Sequence, residues 1–400
     1  MRPFCIFDTC LCTIRVSLNG VCLTVPAPIS FDPKSAGLRE QIDALPAGAG
    51  IYLLHARTGT PHLARSGNLQ RRMRRLFFAE QRGSDTASAR LRESVAIVEC
   101  WTTGSRLESS LVMHSLARQH HPDDYLFRLK LRIPWFVGLT LADPFPRLAV
   151  VNRVPKRESM LLGPFASRAS AQIYEQQVAG LFQIRRCTDG LKPSPEHPGC
   201  VYGEMNQCMR PCQCAVTREE YGAETQRVND FLATNGRAAL SVLTTARDRA
   251  AEQTDFEQAA QIHKQVEKMR AASTARDEVV GNVYRMNGVA LTRGVEAGEF
   301  RLWPMREGYW QDGLRLDIAQ DDEQAKSLDQ TLRELLSTGL RLPVKQGSRA
   351  EDLAIFARWY YSSWRDGTWF PFRTIEDLNY RKLVKEISAL AKAERAQMVS

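Results

Sequence analysis

The chain has 400 residues, 44% of them apolar and 25% charged, the balance of an ordinary globular protein large enough for more than one core. Lys and Arg outnumber Asp and Glu by 54 to 45, and the formal charge of +9 favours contact with polyanions. No apolar run approaches about eighteen residues, which excludes a helical membrane span. The first 27 residues are apolar-rich but interrupted by Asp8 and Arg15, so no signal peptide is expected. Ten cysteines without an export signal then argue against a disulfide framework, and a cytoplasmic chain is expected.

In chain order, "AGLREQIDALP" (36–46) predicts a short amphipathic helix stopped by Pro46. "GIYLLHA" follows as a strand, Thr58-Gly59-Thr60 as a turn, and "PHLAR" as the returning strand of a β-hairpin. Asn68 caps a helix whose apolar positions Leu69, Met73, Leu76 and Phe77 repeat at helical spacing. Arg71, Arg72, Arg74 and Arg75 then lie mostly outside the buried stripe. "AIVECWTT" is a further strand, and "SRLESSLVMHSLARQHH" a helix ended by Pro122. Two strands with a Pro-rich turn are expected over 133–152, and a helix over "SRASAQIYEQQVAGLFQI". Capping boxes at Thr217/Glu220 and Thr254/Glu257 start helices near 218 and 255, with another over about 237–252 between them. Residues 278–318 read as strands, and a third box, Ser348/Glu351, opens a helix reaching "RWYYSSWRDG".

The hairpin with its arginine-studded helix has a logic for phosphodiester chemistry. A strand tyrosine and a helix arginine can converge on one phosphate, and the guanidinium fork pairs with two phosphate oxygens while staying charged. The same charge pattern also suits a merely solvated basic face. A second constellation is Cys187-x12-Cys200-x7-Cys208-x3-Cys212, four thiols that suffice for one [4Fe–4S] cluster or a structural zinc. Cys214 is a competing ligand, and unligated reduced thiols are the plainer alternative. Cys10 and Cys12 have no supporting pattern and are read as ordinary thiols.

Residues 49–125 resemble the GIY-YIG nuclease domain that opens UvrC, the incision subunit of bacterial nucleotide excision repair. "LLGPFASRASAQIYEQQVAGLFQIRRC" and "CVYGEMNQCMRPCQC" are similar to the segments that follow it in UvrC proteins, and "DFEQAAQIHKQVEKM" resembles their UvrB-binding UVR motif. The resemblance implies catalytic roles for Tyr52 and Arg72, with His62-Leu63-Ala64-Arg65 standing where the family has Y-I/V-G-K, so His62 and Arg65 complete the candidate set. Histidine retains general-base capacity, and arginine retains the charge. It further implies a [4Fe–4S] cluster at Cys187, Cys200, Cys208 and Cys212, nucleic-acid contacts at Arg71, Arg74 and Arg75, and damaged double-stranded DNA and UvrB as partners.

One departure is chemical. The glutamate that holds the family's Mg²⁺ or Mn²⁺ falls on Met113, and a thioether is a poor ligand for a hard cation. Glu108, five residues earlier on the same helix, points about 140° away from Met113. The family's Asn after the proline falls on Tyr125. The expectation is a degenerate nuclease site. In the UVR-like helix, Phe256, Glu257, Ala259, Ala260 and Val266 are the candidate partner contacts, with Phe256, Ala259, Ala260 and Val266 expected to form one packing face. His263-Lys264 replaces the usual Arg-Asp. The aromatic set Trp359, Tyr360, Tyr361, Trp364, Trp369, Phe370 and Phe372 is read as core before single-strand stacking. No second nuclease domain is recognised, as in the shorter Cho-type relatives, and no Walker motif is present, so ATP use is expected to come from a partner.

The expected fold class is α+β: an N-terminal extension (1–35), a GIY-YIG-like antiparallel sheet with flanking helices (36–125), a linker and four-cysteine module (126–215), a helical UVR-like region (216–275) and a C-terminal α+β region (276–400). Three functions fit: an incision endonuclease with a degenerate site, a non-catalytic DNA- or UvrB-binding adaptor, and an iron–sulfur structural or redox protein.

Overall fold

The computed structural model describes residues 25–78, 85–155, 160–188, 190–318, 327–341 and 347–399. Cys10 and Cys12, read above as ordinary thiols, lie outside these residues. The chain divides into two compact units, Met1–Arg132 with Asn287–Ser400, and Ile133–Met286. The architecture is α+β, as expected. Among the described residues no helix is long and apolar enough to cross a membrane.

The first unit begins with β1 (Ile29–Phe31), α1 (Leu38–Asp43), β2 (Gly50–Ala56), β3 (His62–Ser66), α2 (Leu69–Phe78), α3 (Asp85–Ser94), β4 (Val95–Thr102), α4 (Arg106–His120) and α5 (Tyr125–Arg128). The strands pair antiparallel in the order β1-β4-β2-β3. Both sheet faces are covered, which is why β2 reads as a continuous apolar run instead of an alternation. Tyr52, Leu54, Val98 and Cys100 pack with Leu69, Met73 and Phe77 of α2 on one face. Ile51, Leu53 and Trp101 pack with Val112 and Leu116 of α4 on the other. Gly50 is required by this double coverage, since a Cβ there would lie 2.2 Å from the Trp101 carbonyl oxygen and 2.4 Å from Leu69 Cδ1. Asn68 caps α2 by accepting from Arg71 N at 2.7 Å.

Helix α4 has a cap that sequence reading passed over. Ser105 accepts from Glu108 N at 3.1 Å, and the Glu108 carboxylate accepts from Gly104 N at 2.7 Å. Glu108 is 2% exposed, and burial raises its pKa before the Gly104 amide and Arg301 pull it back. It is therefore an anchor for the helix start.

The second unit holds β5 (Trp135–Leu139), β6 (Leu148–Val151), β7 (Leu161–Phe165), α6 (Arg168–Ala179), α7 (Val201–Glu204), α8 (Arg218–Thr234), α9 (Arg237–Glu252), α10 (Phe256–Thr274) and β8 (Gly281–Asn282). Its sheet runs β6-β5-β7-β8, and Val137 and Leu162 meet Tyr174, Val178 and Phe231 in its core. The Thr217/Glu220 box forms reciprocally, with Thr217 accepting from Glu220 N at 3.2 Å and Glu220 accepting from Thr217 N at 2.9 Å. The expected Thr254/Glu257 box does not form. Thr254 sits in the turn between α9 and α10 at φ 59°, and Asp255 caps α10 by accepting from Gln258 N at 3.0 Å. A carboxylate one residue later is the stronger acceptor for a helix amide.

The first unit resumes with β9 (Asn287–Arg293), β10 (Glu299–Arg306), β11 (Tyr309–Trp310), β12 (Leu314–Asp317), α11 (Leu328–Arg341), α12 (Arg349–Tyr360), β13 (Gly367–Phe372) and α13 (Tyr380–Val399). Strand order is β11-β10-β9-β13, with β12 also pairing β10. Trp359 is 0% exposed, Trp369 and Phe370 are buried, and Phe356 packs against Trp310, Trp359 and Trp369, so the core reading holds for Trp359, Trp369 and Phe370, whereas Tyr360, Tyr361, Trp364 and Phe372 are half-buried. Helix α12 starts where expected, but Ser348 accepts no capping bond. Glu351 turns instead to α4 and α5: its Oε2 lies 2.8 Å from His114 Nε2, and Oε1 accepts from Tyr125 Oη at 2.9 Å. Its neighbour Asp352 accepts from Trp310 N at 3.3 Å.

Two outcomes follow for this unit. A Cβ on Gly104 would lie 2.1 Å from the Gly294 backbone, so Gly104→Ala should lower thermal stability by about 1–3 kcal/mol or more, read by calorimetry. Burial pushes the Asp352 carboxyl up to about 8, so the folded state binds a proton that the unfolded chain has released. Stability contributed by Asp352 therefore falls as pH rises from about 4 to about 8. Asp352→Asn should flatten that fall and raise the melting temperature at the alkaline end.

Candidate functional site

Strand alternation decides which predicted residues meet. In the β2–β3 register Tyr52 pairs with Ala64, Leu54 with His62 and Ile51 with Arg65. Tyr52 and His62 therefore point to the α2 side, whereas Arg65 points to the α4 side. On the α2 side a cavity of about 270 Å³ is lined by Tyr52, Leu54, Thr60, His62, Arg72 and Leu76, among others. Arg72 Nε donates to Tyr52 Oη at 3.1 Å, and its Cζ lies 5.7 Å from the centre of the tyrosine ring. The His62 ring is tilted against Tyr52 with centroids 6.1 Å apart.

Three of the four candidate catalytic side chains thus share one pocket. Tyr52 is 1% exposed, so its hydroxyl is presented only toward Arg72 and the cavity. An anion entering there meets a guanidinium fork, a phenol and an imidazole. No carboxylate is among the described residues that line the pocket. Arg71, Arg74 and Arg75 are exposed on α2 as expected, and Arg74 pairs with Asp43 at 2.8 Å.

Met113 occupies the other face, where it packs with Leu63 against Ile51, Leu53, Trp101, Val112 and Leu116. It acts there as an apolar filler between α4 and the hairpin. The same face carries a polar group that sequence reading missed. His55 Nε2 lies 2.5 Å from Glu99 Oε2, and the His120 ring stands edge-on to His55 at 5.7 Å. Burial, then the neighbouring His55, holds His120 below its ordinary imidazole value. Only cross-strand pairing brings these residues together, because they come from β2, β4 and the end of α4.

In the second unit the four predicted cysteines lie in one loop segment, with Cys208 and Cys212 buried, Cys187 half-buried and Cys200 exposed. Burial raises Cys208, the Arg210 amide opposes it, and Cys200, Cys187 and Cys212 add to the rise, so all four thiols lie within electrostatic reach. Arg210 N donates to Cys208 Sγ at 3.4 Å, and Arg185 Nη1 to Cys187 Sγ at 3.6 Å. Cys214, left-handed at φ 54°, is exposed. Among the described residues, no group of three or more His, Cys, Asp or Glu side chains is placed to hold a metal ion.

Residues 134–231, which run through β5 to most of α8 and enclose these cysteines, match the family described as UvrC/Cho excinuclease, middle domain. These residues are of the UvrC/Cho middle-domain type. It is similar to UvrABC system protein C of Moorella thermoacetica, 25% identical over 328 residues, 80% of this chain and 53% of that protein. The Oleidesulfovibrio alaskensis protein of the same name is 30% identical over 263 residues, 65% of this chain and 37% of its own. That of an Anaeromyxobacter species is 28% identical over 327 residues, 80% and 44% respectively. The chain therefore spans about half the length of these relatives, or less. No solved structure matches it.

The UVR-like residues are divided by the α9–α10 hairpin. Val266 is 0% exposed and holds the hairpin together, with Ala259 half-buried. Phe256 is 70% exposed, and Glu257 and Ala260 are exposed with it. The expected single face is thus two: one inward, one open.

Proposed function

We propose that this chain serves nucleotide excision repair as a UvrC-type protein that grips DNA phosphate at the Tyr52–His62–Arg72 pocket, with metal-dependent incision severely impaired. The observation that carries this reading is the Arg72–Tyr52 hydrogen bond inside a pocket without a described carboxylate. Arg72 binds and orients the phosphate, Tyr52 and His62 are placed to hold or move a proton, and burial of the tyrosine ring excludes water from one side.

A divalent cation needs hard oxygen donors, and the residues present do not fit one. Met113 is committed to apolar packing and Glu108 to the start of α4. An adaptor role, binding DNA and UvrB without cutting, is the reading favoured alongside incision by a degenerate site. The open face of Phe256, Glu257 and Ala260 is what the hairpin offers a partner such as UvrB.

The four cysteines suit a [4Fe–4S] cluster better than zinc. A zinc ion about 2.3 Å from each sulfur would draw its ligands into a tight tetrahedron, whereas a four-iron cage takes its thiolates at wider corners. Of the four, only Cys208 and Cys212 are closely spaced in the chain, where a zinc site usually has two such tight pairs. The N–H donors at Cys187 and Cys208 would stabilise ligating sulfur, and the cluster would clamp a loop segment that has little apolar core.

A nicking assay with lesion-bearing duplex, UvrA, UvrB, ATP and Mg²⁺ or Mn²⁺ tests the first part. Wild type is expected to cut weakly or not at all and Met113→Glu to leave that unchanged, because this position lies on the sheet face opposite the pocket, while Arg72→Ala should weaken DNA binding. Strong wild-type incision abolished by Arg72→Ala would overturn the impaired-site reading. Iron and sulfide analysis of anaerobically purified protein tests the second part. Four of each per chain, lost together in Cys208→Ala, is the expected result, and one zinc with no sulfide would refute it.

A further inference from the structure

The cavity beside Tyr52 is larger and more apolar than a phosphate needs. Exposure sorts its lining into a floor, walls and a rim. Tyr52, Leu54 and Val95 are buried at the floor, and Leu76 of α2 and Leu91 of α3 are half-buried walls beside Arg72. Thr60, His62 and Ser94 are the exposed rim. Tyr52 Oη accepts from Arg72 Nε at 3.1 Å, so among the described residues the two terminal nitrogens of the fork are left for a phosphate. That phosphate is small beside the cavity's 270 Å³, roughly nine times the ~30 Å³ that one water takes up in the liquid. Being charged, it also gains nothing from the leucines and the valine.

A nucleobase has the complementary properties. Its flat faces are largely apolar and leave water readily for a slot walled by aliphatic side chains, while its polar edges can stay at the mouth. We propose that this cavity receives one whole nucleotide of a DNA strand, its phosphate on Arg72 and its unpaired base against Leu54, Leu76, Leu91 and Val95. The hydroxyls of Thr60 and Ser94 each donate and accept, so they suit any base edge and select none. The presence of a base therefore matters and its identity does not. A base enters such a slot at least cost where it is mismatched, damaged or already unpaired. This inference rests on the phosphate-binding reading above and adds the base to it.

The test measures the affinity of the full chain for a short oligothymidylate and for an abasic chain of the same length and charge. Wild type should bind the oligothymidylate tighter by on the order of tenfold, the worth of one sequestered base. Ala56 lines the cavity, half-buried, at the end of β2. Ala56→Leu narrows the slot without touching the Arg72 fork, so it should sharply reduce that preference while abasic binding stays unchanged. Arg72→Ala should weaken binding of both chains. Thymidine monophosphate as competitor separates the sources of the ligand: displacement of oligothymidylate assigns the slot to free nucleotide as well, and no displacement confines it to a strand. Melting temperatures verify folding, and Leu91→Gln serves if Ala56→Leu does not fold. Equal wild-type affinity for the two chains, or a preference unchanged in the folded variant, overturns the nucleotide slot alone, provided Arg72→Ala still weakens both. Abasic binding untouched by Arg72→Ala overturns the phosphate reading and the slot with it.

Discussion

The two-residue period of a strand covered on both faces governs the first unit. Once Ile51, Leu53 and Trp101 are committed to α4, Tyr52 and Leu54 must face α2, and β3 inherits the same division through its register with β2. A one-residue slip would exchange the two sets and bury Arg65 where His62 now opens into the cavity. The pocket, the apolar seat of Met113 and the position of Arg65 all follow from that one alternation. Gly50 guards it, since any larger residue would push β2 away from β4 or from Leu69.

The α4 helix illustrates how positions associated with one chemistry come to serve another. Met113 fills a gap, and the adjacent His114 joins Tyr125 on the Glu351 carboxylate of α12. Burial acts to raise Glu351, but hydrogen bonds from His114 and Tyr125 leave it lowered overall, so the carboxylate stays charged between its two partners. Such a pair adds little net stability over apolar packing, yet removing one partner leaves a buried charge uncompensated. Its effect is specificity: α12 can dock on α4 in the arrangement that satisfies both oxygens. Glu108 follows the same pattern at the other end of α4, bound to Gly104 N and 4.0 Å from Arg301.

In the second unit a cysteine loop and a helical hairpin divide the work of folding and of contact. Among its described residues, the loop from Cys187 to Cys214 has a four-residue helix and a 3-10 turn as its regular structure, with Cys208 and Cys212 buried. The hairpin is the reverse case. Val266 and Ala272 close it, and Phe256 is left facing outward at a cost in exposed apolar surface that a partner surface would remove.

From sequence alone, the local features were legible: the hairpin, the Asn68 and Thr217 caps, and the starts of α8, α9 and α10. Each depends on residues within a few positions of one another, where backbone preference and apolar period act directly. The Thr254 box was misjudged because Asp255, one residue away, is the better acceptor, and local pattern cannot rank two adjacent caps. What only the tertiary structure decided depends on pairs far apart in the chain. Whether Arg65 joins Tyr52 and what Glu351 binds are set by sheet register and by α12 docking on α4. Those are long-range packing choices, and no periodicity within a single segment encodes them.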